Sequence, residues 1–108
     1  MDINTICLSG RIFDIRVCPT KGLYPVVEAK LSVNVGTDKI SSEPMFDEFN
    51  IRSYGKKSLK IAEIKPGTFV SVQGRLKEDI RVNALEPNTV RSKTYINIDS
   101  LKAFNVED

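Results

Sequence analysis

Aromatic and basic side chains are the residues of this chain with the clearest capacity for chemistry. The sequence has no histidine and no tryptophan, but it carries five phenylalanines, three tyrosines and 16 lysines and arginines. Aromatic rings stack on flat bases, and lysine and arginine neutralise phosphates. These residue types are therefore suited to contact with a polyanion that carries flat groups.

The basic residues are concentrated in one part of the chain. The formal net charge is only +2, yet ten basic residues and four acidic ones lie between Arg52 and Lys93, an excess of +6. A run of this kind fits a solvated surface as well as a basic path along a phosphate backbone. For any single basic residue, the sequence leaves both interpretations open.

Three aromatic residues, Phe46, Tyr54 and Tyr95, are predicted to lie on an exposed face and to stack. Phe49 either stacks or packs in the core, because it lies five residues before Tyr54, and an odd spacing places two residues on opposite faces of a regular strand. The candidate phosphate contacts are Arg11, Arg16, Lys30, Arg52, Lys56, Lys57, Arg75, Lys77, Arg81, Arg91 and Lys93.

Catalysis is not expected from this sequence. It has no histidine, nucleophile elbow, phosphate loop or cluster of carboxylates. Cys7 and Cys18 are predicted to be structural thiols, with a disulfide or a redox role as the alternative, and neither a metal, a cofactor nor a small-molecule substrate is expected.

No run approaches the roughly 18 apolar residues of a membrane span, and no secretory signal is recognised, so a cytoplasmic location is expected.

The central segment predicts a strand, a helix and a second strand. Phe49–Tyr54 alternates apolar and polar residues, as in a half-buried strand. Lys56–Ile64 has helical spacing, and Pro66-Gly67 ends it. Thr68–Leu76 alternates again, and Gly74 within it predicts a bulge or a barrel corner. The residues predicted to form the core-facing side of the helix are Leu59, Ile61, Ala62 and Ile64.

Three further strands are predicted around this segment. Asn4–Cys18 shows a slip in its alternation, which predicts a strand bent at Gly10. Val27–Val35 alternates strictly and is the clearest strand in the sequence. Thr94–Phe104 forms the last strand. The connections are predicted to be a polar segment, Gly36–Met45, and a long, mobile loop, Lys77–Ser92.

This order of elements is that of an OB-fold, an all-β, five-stranded Greek-key barrel, here with one short helix between strands 3 and 4. A length of 108 residues fits one domain, residues 1–108. Closure of the barrel places Val33, Val70, Val72 and Ile96 inside, with the helix at one end. The residues that alternation assigns to the outer face are Lys30, Asn34, Arg52, Tyr54, Gln73 and Arg75.

The chain resembles bacterial-type single-stranded DNA-binding proteins over nearly its whole length. The residues that carry this resemblance are Asn4, Leu8–Ile12, Ala29–Val33, Tyr54–Lys56, Lys65–Gly67 and Val70–Leu76. The resemblance implies sequence-nonspecific binding of single-stranded DNA in replication, recombination or repair. It also implies a nucleoid-associated protein without enzymatic activity that works as a homo-oligomer, commonly a tetramer.

The chain departs from the family's pattern in several ways. It lacks stacking tryptophans, it has a polar run near Thr37 where an aromatic residue is expected, and it lacks the family's tail with an acidic tip. An OB-fold that serves as a primosome-type accessory or protein-interaction module is therefore the alternative. For self-association, Ile3–Leu8 is a candidate edge, with Thr5, Cys7 and Ser9 on the face that a second barrel approaches.

Overall fold

A computed structural model describes residues 2–82 and 90–104, with the backbone alone at 81–82 and 90–92. Its elements are β1 (Ile6–Cys18), β2 (Val26–Thr37), β3 (Pro44–Ser53), α1 (Ser58–Ala62), β4 (Phe69–Val82) and β5 (Val90–Phe104). The strands close into a barrel in the order β1-β2-β3-β5-β4. All neighbours are antiparallel except β3 and β5, which run parallel. The predicted fold class is therefore confirmed.

The core lies inside the barrel and consists of aliphatic residues from all five strands and the helix. Val70, Val72 and Ile96 are buried, as the alternation predicted, and Val33 packs against them. Each aliphatic side chain removed from water stabilises the fold by roughly 1.5–3 kcal/mol. The residues completing the buried cluster are Ile12, Val27, Ala29, Leu31, Ile51, Ile61 and Ile98.

The slip in β1 lies at Asp14 and not at Gly10, so the predicted position of the bend was wrong. The register with β2 shifts between Phe13 and Arg16, and Asp14 has a positive φ of 53°. Aspartate tolerates this left-handed conformation better than most residues. Gly10 is required for another reason, because a Cβ there would overlap the carbonyl oxygen of Ser32.

The helix is shorter than predicted, and one of its predicted core contacts is wrong. Ile61 is buried, and Ala62 and Ile64 pack against the core, but Leu59 is 46% exposed. The inward position is taken by Ser58, whose hydroxyl donates a hydrogen bond of 3.0 Å to the buried Ser53 hydroxyl. α1 therefore caps the barrel with a narrower apolar face than its sequence indicated.

The predicted loop at Lys77–Ser92 is largely a hairpin of β4 and β5. The two strands remain paired from Lys77 opposite Tyr95 to Val82 opposite Val90, while residues 83–89 lie outside the described part. Among the described residues, these strand ends pair with each other and with no third strand, so backbone hydrogen bonds can hold them without the apolar alternation of a core strand. The predicted irregularity at Gly74 is confirmed by a register shift between Gln73 and Gly74.

Two other expectations changed at the ends of elements. β2 extends to Thr37 and β3 begins at Pro44, so both ends of the predicted polar connection belong to strands and residues 38–43 connect them. Leu76, predicted to face inward, is exposed. Cys7 and Cys18 are both free thiols, so no disulfide joins them.

Candidate nucleic-acid interface

Arg52 is the centre of a cluster of polar and aromatic side chains on the outer face of the barrel. β3 places Arg52 directly opposite Glu28 of β2 and beside β5. Its Nη2 lies 3.0 Å from Glu28 Oε1, and its Nη1 donates to the Tyr54 hydroxyl at 3.2 Å. Its Cζ lies 4.0 Å from the centre of the Tyr95 ring. Arg52 thus links the two predicted stacking tyrosines.

The guanidinium of Arg52 is already paired with carboxylates of the protein itself. Its side chain is only 12% exposed, and Asp79 adds a second carboxylate oxygen at 4.0 Å from Nη1. Burial lowers the pKa of the guanidinium, but the Tyr54 hydroxyl and the Glu28 carboxylate outweigh it, so the net pKa is raised. Arg52 therefore stays charged and positions the tyrosine rings, and it is poorly placed to neutralise a phosphate itself.

Tyr54 and Tyr95 form the aromatic part of the site. Tyr54 is 38% exposed, and Tyr95 is half-buried on the guanidinium of Arg52. A hydrogen bond with the Tyr54 hydroxyl, followed by burial, raises the pKa of Tyr95. The Tyr95 phenol is thus neutral at physiological pH, which suits stacking on bases beside phosphates.

A groove of about 290 Å³ lies beside this cluster. Lys30 and Lys93 line it, and neither ammonium group forms an ion pair among the described residues. Asn50 adds an amide, which can donate and accept hydrogen bonds. The groove also contains acidic groups, because Asp14 and Glu28 line it. Two free cations beside tyrosine rings are an arrangement that can bind a short stretch of phosphate backbone with its bases.

The remaining predicted basic residues differ in whether their charged groups already have partners within the protein. Arg16 pairs with Asp14 at 3.3 Å, and Arg75 pairs with Asp99 at 3.4 Å. The Lys57 ammonium donates to the Tyr54 carbonyl oxygen at 2.8 Å, which fixes the chain beyond β3. Lys56 and Lys77 are exposed. The side chains of Arg81 and Arg91 lie outside the described residues.

The structure separates three predicted residues from the tyrosine cluster. Phe49 is partly buried and packs against the hydrophobic core, which favours the core alternative left open by its spacing from Tyr54. Phe46 is 55% exposed, but it lies opposite Asn34, far along the hairpin from Arg52. Arg11 is on β1 and donates to the Gly67 carbonyl oxygen at 2.9 Å. Contact of any of these residues with nucleic acid stays a prediction.

Sequence reasoning missed Glu28 and Asn50. Glu28 lies two residues before Lys30 in the strictly alternating β2, so the two side chains face the same side, and the outward position of Glu28 could be predicted from the sequence. Its pairing with Arg52 depends on the register between β2 and β3, which no local pattern specifies. Asn50 likewise shares its parity with Arg52, but a lone amide gives no signal of its own.

Two kinds of feature are absent from the part of the chain that the structure describes. The described residues contain no group of three or more histidine, cysteine, aspartate or glutamate residues arranged to hold a metal ion. In the same part of the chain, no helix has the length and apolar character needed to cross a membrane.

Comparisons with known proteins give matches among solved structures only. No family model and no curated protein matches this sequence. A structure described as Plasmodium falciparum SSB in complex with ssDNA matches with a TM-score of 0.78 and 19% identity over 97% of both chains. A small single-stranded DNA-binding protein from Streptomyces coelicolor matches with a TM-score of 0.71 and 19% identity over 96% of both chains. The chain thus shares the fold of single-stranded DNA-binding proteins, as its motifs predicted.

Proposed function

We propose that this protein binds single-stranded DNA without sequence preference, through the tyrosine cluster and the lysines beside it. The observation that carries the proposal is the arrangement of Tyr54 and Tyr95 around Arg52, with the unpaired Lys30 and Lys93 on the adjoining groove. Further support comes from the fold, which is shared with two proteins described as single-stranded DNA-binding.

The physical basis needs no base-specific hydrogen bonds. Each base stacked on an aromatic ring contributes roughly 1–3 kcal/mol, and every base has a face on which to stack. Contacts with phosphates do not depend on the base sequence either. In a duplex the base faces are already covered by their neighbours, so single strands are preferred. Such a protein acts by binding, wherever replication, recombination or repair exposes a single strand.

A competition titration tests the proposal. Fluorescence anisotropy with labelled oligo-dT measures the affinity, and unlabelled duplex and single strands compete for the protein. Tyr54→Ala and Tyr95→Ala are each expected to weaken binding by about 5-fold to 150-fold, which corresponds to the loss of one stacked base. Tyr95→Phe is the matched control, because it keeps the ring, and it should retain most of the affinity.

Two outcomes contradict the proposal. Equal affinity for duplex and single strands would mean that bases do not stack on the protein. Absence of binding to any oligonucleotide would favour the alternative function, an OB-fold that serves as a primosome-type accessory or protein-interaction module.

We also propose that the protein works as a homo-oligomer, a dimer or a tetramer. β1 pairs with β4 from Ile6 to Arg11 but with β2 only from Arg11 onward, so the segment before Arg11 has one strand neighbour among the described residues. Cys7 and Ser9 on its outer face are small and exposed, which allows close approach of a second barrel. Light scattering should give a multiple of the 12.1 kDa chain mass, and a monomer mass at tens of micromolar would contradict this.

A further inference from the structure

Three partly exposed phenylalanines form a second aromatic surface, away from the tyrosine cluster. Phe46, Phe69 and Phe104 are 55%, 36% and 39% exposed, and the rings of Phe69 and Phe104 are 5.8 Å apart between centres. Phe69 and Phe104 did not stand out in the sequence, because each lies at the end of a predicted strand. Together with Arg11, these rings are called the phenylalanine surface below.

The strand register makes this surface continuous. Phe104 on β5 lies opposite Phe69 on β4, which lies opposite Arg11 on β1, which lies opposite Ser32 on β2. Phe46 lies one outward position further along the hairpin of β2 and β3, opposite Asn34. The surface thus crosses the barrel from β5 to β3.

Two adjoining grooves follow this surface. One has a volume of about 380 Å³ and reaches from Lys65 to Phe104, and the other has a volume of about 440 Å³ and reaches from Ser9 to Phe46. Arg11 and Phe69 line both grooves and join them.

The charges along these grooves are all positive. Arg11 and Lys65 are the charged residues in their linings, and the Lys102 ammonium lies 5.3 Å from the centre of the Phe104 ring. Among the arginines whose side chains the structure describes, Arg11 is the one that forms no ion pair, whereas Arg16, Arg52 and Arg75 are each paired. Glu48, opposite Ser32, borders the surface on β3. Exposed rings between unpaired cations complement a polyanion with flat bases.

We propose that the phenylalanine surface is a second contact surface for the same single-stranded nucleic acid, and this inference rests on the proposed function. The rings of Phe46, Phe69 and Phe104 stack on bases, and Arg11, Lys65 and Lys102 contact phosphates. A second copy of this chain fits less well, because the groove linings carry no carboxylate to pair with a basic partner and their own charges repel a second copy of the same surface.

The distance between the two surfaces determines how to test the proposal. Phe46 lies six positions before Arg52 on β3, which corresponds to about 20 Å of strand. The rise of about 3.4 Å per nucleotide belongs to a strand of a duplex, and an extended single strand spans up to about twice as much, so about three internucleotide steps cover this distance. A three-nucleotide oligo-dT, which has two such steps, is therefore too short to contact both surfaces, whereas a twenty-nucleotide oligo-dT is long enough.

The test compares both oligonucleotides on Phe46→Ala and Arg11→Gln, which alter exposed side chains on the surface. Each variant is expected to weaken binding of the twenty-nucleotide strand about 10-fold and to change binding of the three-nucleotide strand less than about twofold. The matched controls are Leu23→Ala and Lys21→Gln, which remove an exposed apolar side chain and a charge outside both grooves. Neither control should affect either strand.

The outcomes separate this inference from the proposed function. Unchanged affinity for the long strand in both variants, with weakened binding in Tyr54→Ala, overturns the inference alone. No binding of either strand by the unaltered protein overturns both. A fall in oligomer mass in Phe46→Ala would identify an interface between copies and so overturn the inference as well.

A second measurement does not depend on folded variants. Photocrosslinking of the unaltered protein to a twenty-nucleotide strand containing bromodeoxyuridine is expected to label peptides containing Phe69 or Phe104. Labels confined to peptides around Tyr54 and Tyr95 would contradict the inference.

Discussion

At the scale of single residues, Arg52 shows how neighbours change the role of a charged side chain. Its place in an alternating strand predicted a phosphate contact. The structure instead gives it Glu28 as an ion-pair partner and the Tyr95 ring as a stacking partner. The free cations of the site are then Lys30 and Lys93, which have no carboxylate partner among the described residues.

We expect Arg52→Met to destabilise the protein by about 1–2 kcal/mol. The change removes an ion pair that is largely shielded on the arginine side and a cation–π contact, and it leaves Glu28 unpaired. Urea unfolding monitored by circular dichroism measures the effect. Arg75→Met is the matched control, because its pair with Asp99 is about half exposed, and it should cost less than about 0.5 kcal/mol. Equal losses in both variants would contradict a positioning role for Arg52.

The raised pKa of Tyr95 gives a prediction about alkaline pH. A raised pKa means that the fold favours the neutral phenol, so this stabilisation is fully present below the ordinary value of 10.0 and is lost as the pH rises through the folded value. Tyr54→Phe removes the main cause, the hydrogen bond, and should bring the pKa of Tyr95 back toward 10.0. Ultraviolet titration, with Tyr95→Phe to identify the signal, measures it. An unchanged pKa would mean that the two hydroxyls are not bonded.

At the scale of elements, glycines allow strands to cross closely where the barrel closes. Gly10 in β1 lies against the Ser32 carbonyl of β2, and Gly74 in β4 lies against the Asn97 carbonyl of β5. Both positions are occupied by backbone, which cannot rotate away as a side chain can. The sequence indicated that both glycines matter, but it attributed the bend in β1 to Gly10, whereas the bulge is at Asp14.

Gly10→Ala is expected to destabilise the protein by about 2–3 kcal/mol, since an added methyl group would overlap the Ser32 carbonyl oxygen and force β1 and β2 apart. Thermal or urea unfolding measures the loss. Gly22→Ala is the control, because its nearest neighbour, the Thr20 hydroxyl, would lie at 3.5 Å, and it should change the stability by less than about 0.5 kcal/mol. A mild effect at Gly10 would show that the strands separate easily at this crossing.

At the scale of the whole molecule, a small net charge conceals an uneven distribution. The excess of basic residues counted in the sequence does not form one continuous positive surface, because Glu28, Asp14 and Asp99 pair with three of the arginines. Two groups of unpaired cations line grooves beside aromatic rings, one at the tyrosine cluster and one along the phenylalanine surface. Phosphate contact is therefore expected at few positions for each chain.

Salt dependence tests this count of contacts. If about four phosphates are neutralised per chain, the logarithm of affinity for single strands should fall against the logarithm of salt concentration with a slope of about −3. Changing Lys30 and Lys93 together to Ala should make the slope less negative by about 1.4. The control changes Lys21 and Lys60, which lie outside the grooves, and should leave the slope unaltered. Equal slopes in both double variants would mean that the groove lysines do not contact phosphates.

The sequence by itself determined the order of the elements, the barrel and most of its core, because alternation and helical spacing are local patterns that burial imposes on each segment. It also determined the outward position of Arg52, Tyr54 and Tyr95. The tertiary structure decided that Phe49 is partly buried against the core, that Arg52 is paired, and that Phe46, Phe69 and Phe104 share a surface with Arg11. These relations depend on the register between strands distant in sequence, and register arises only when the barrel closes.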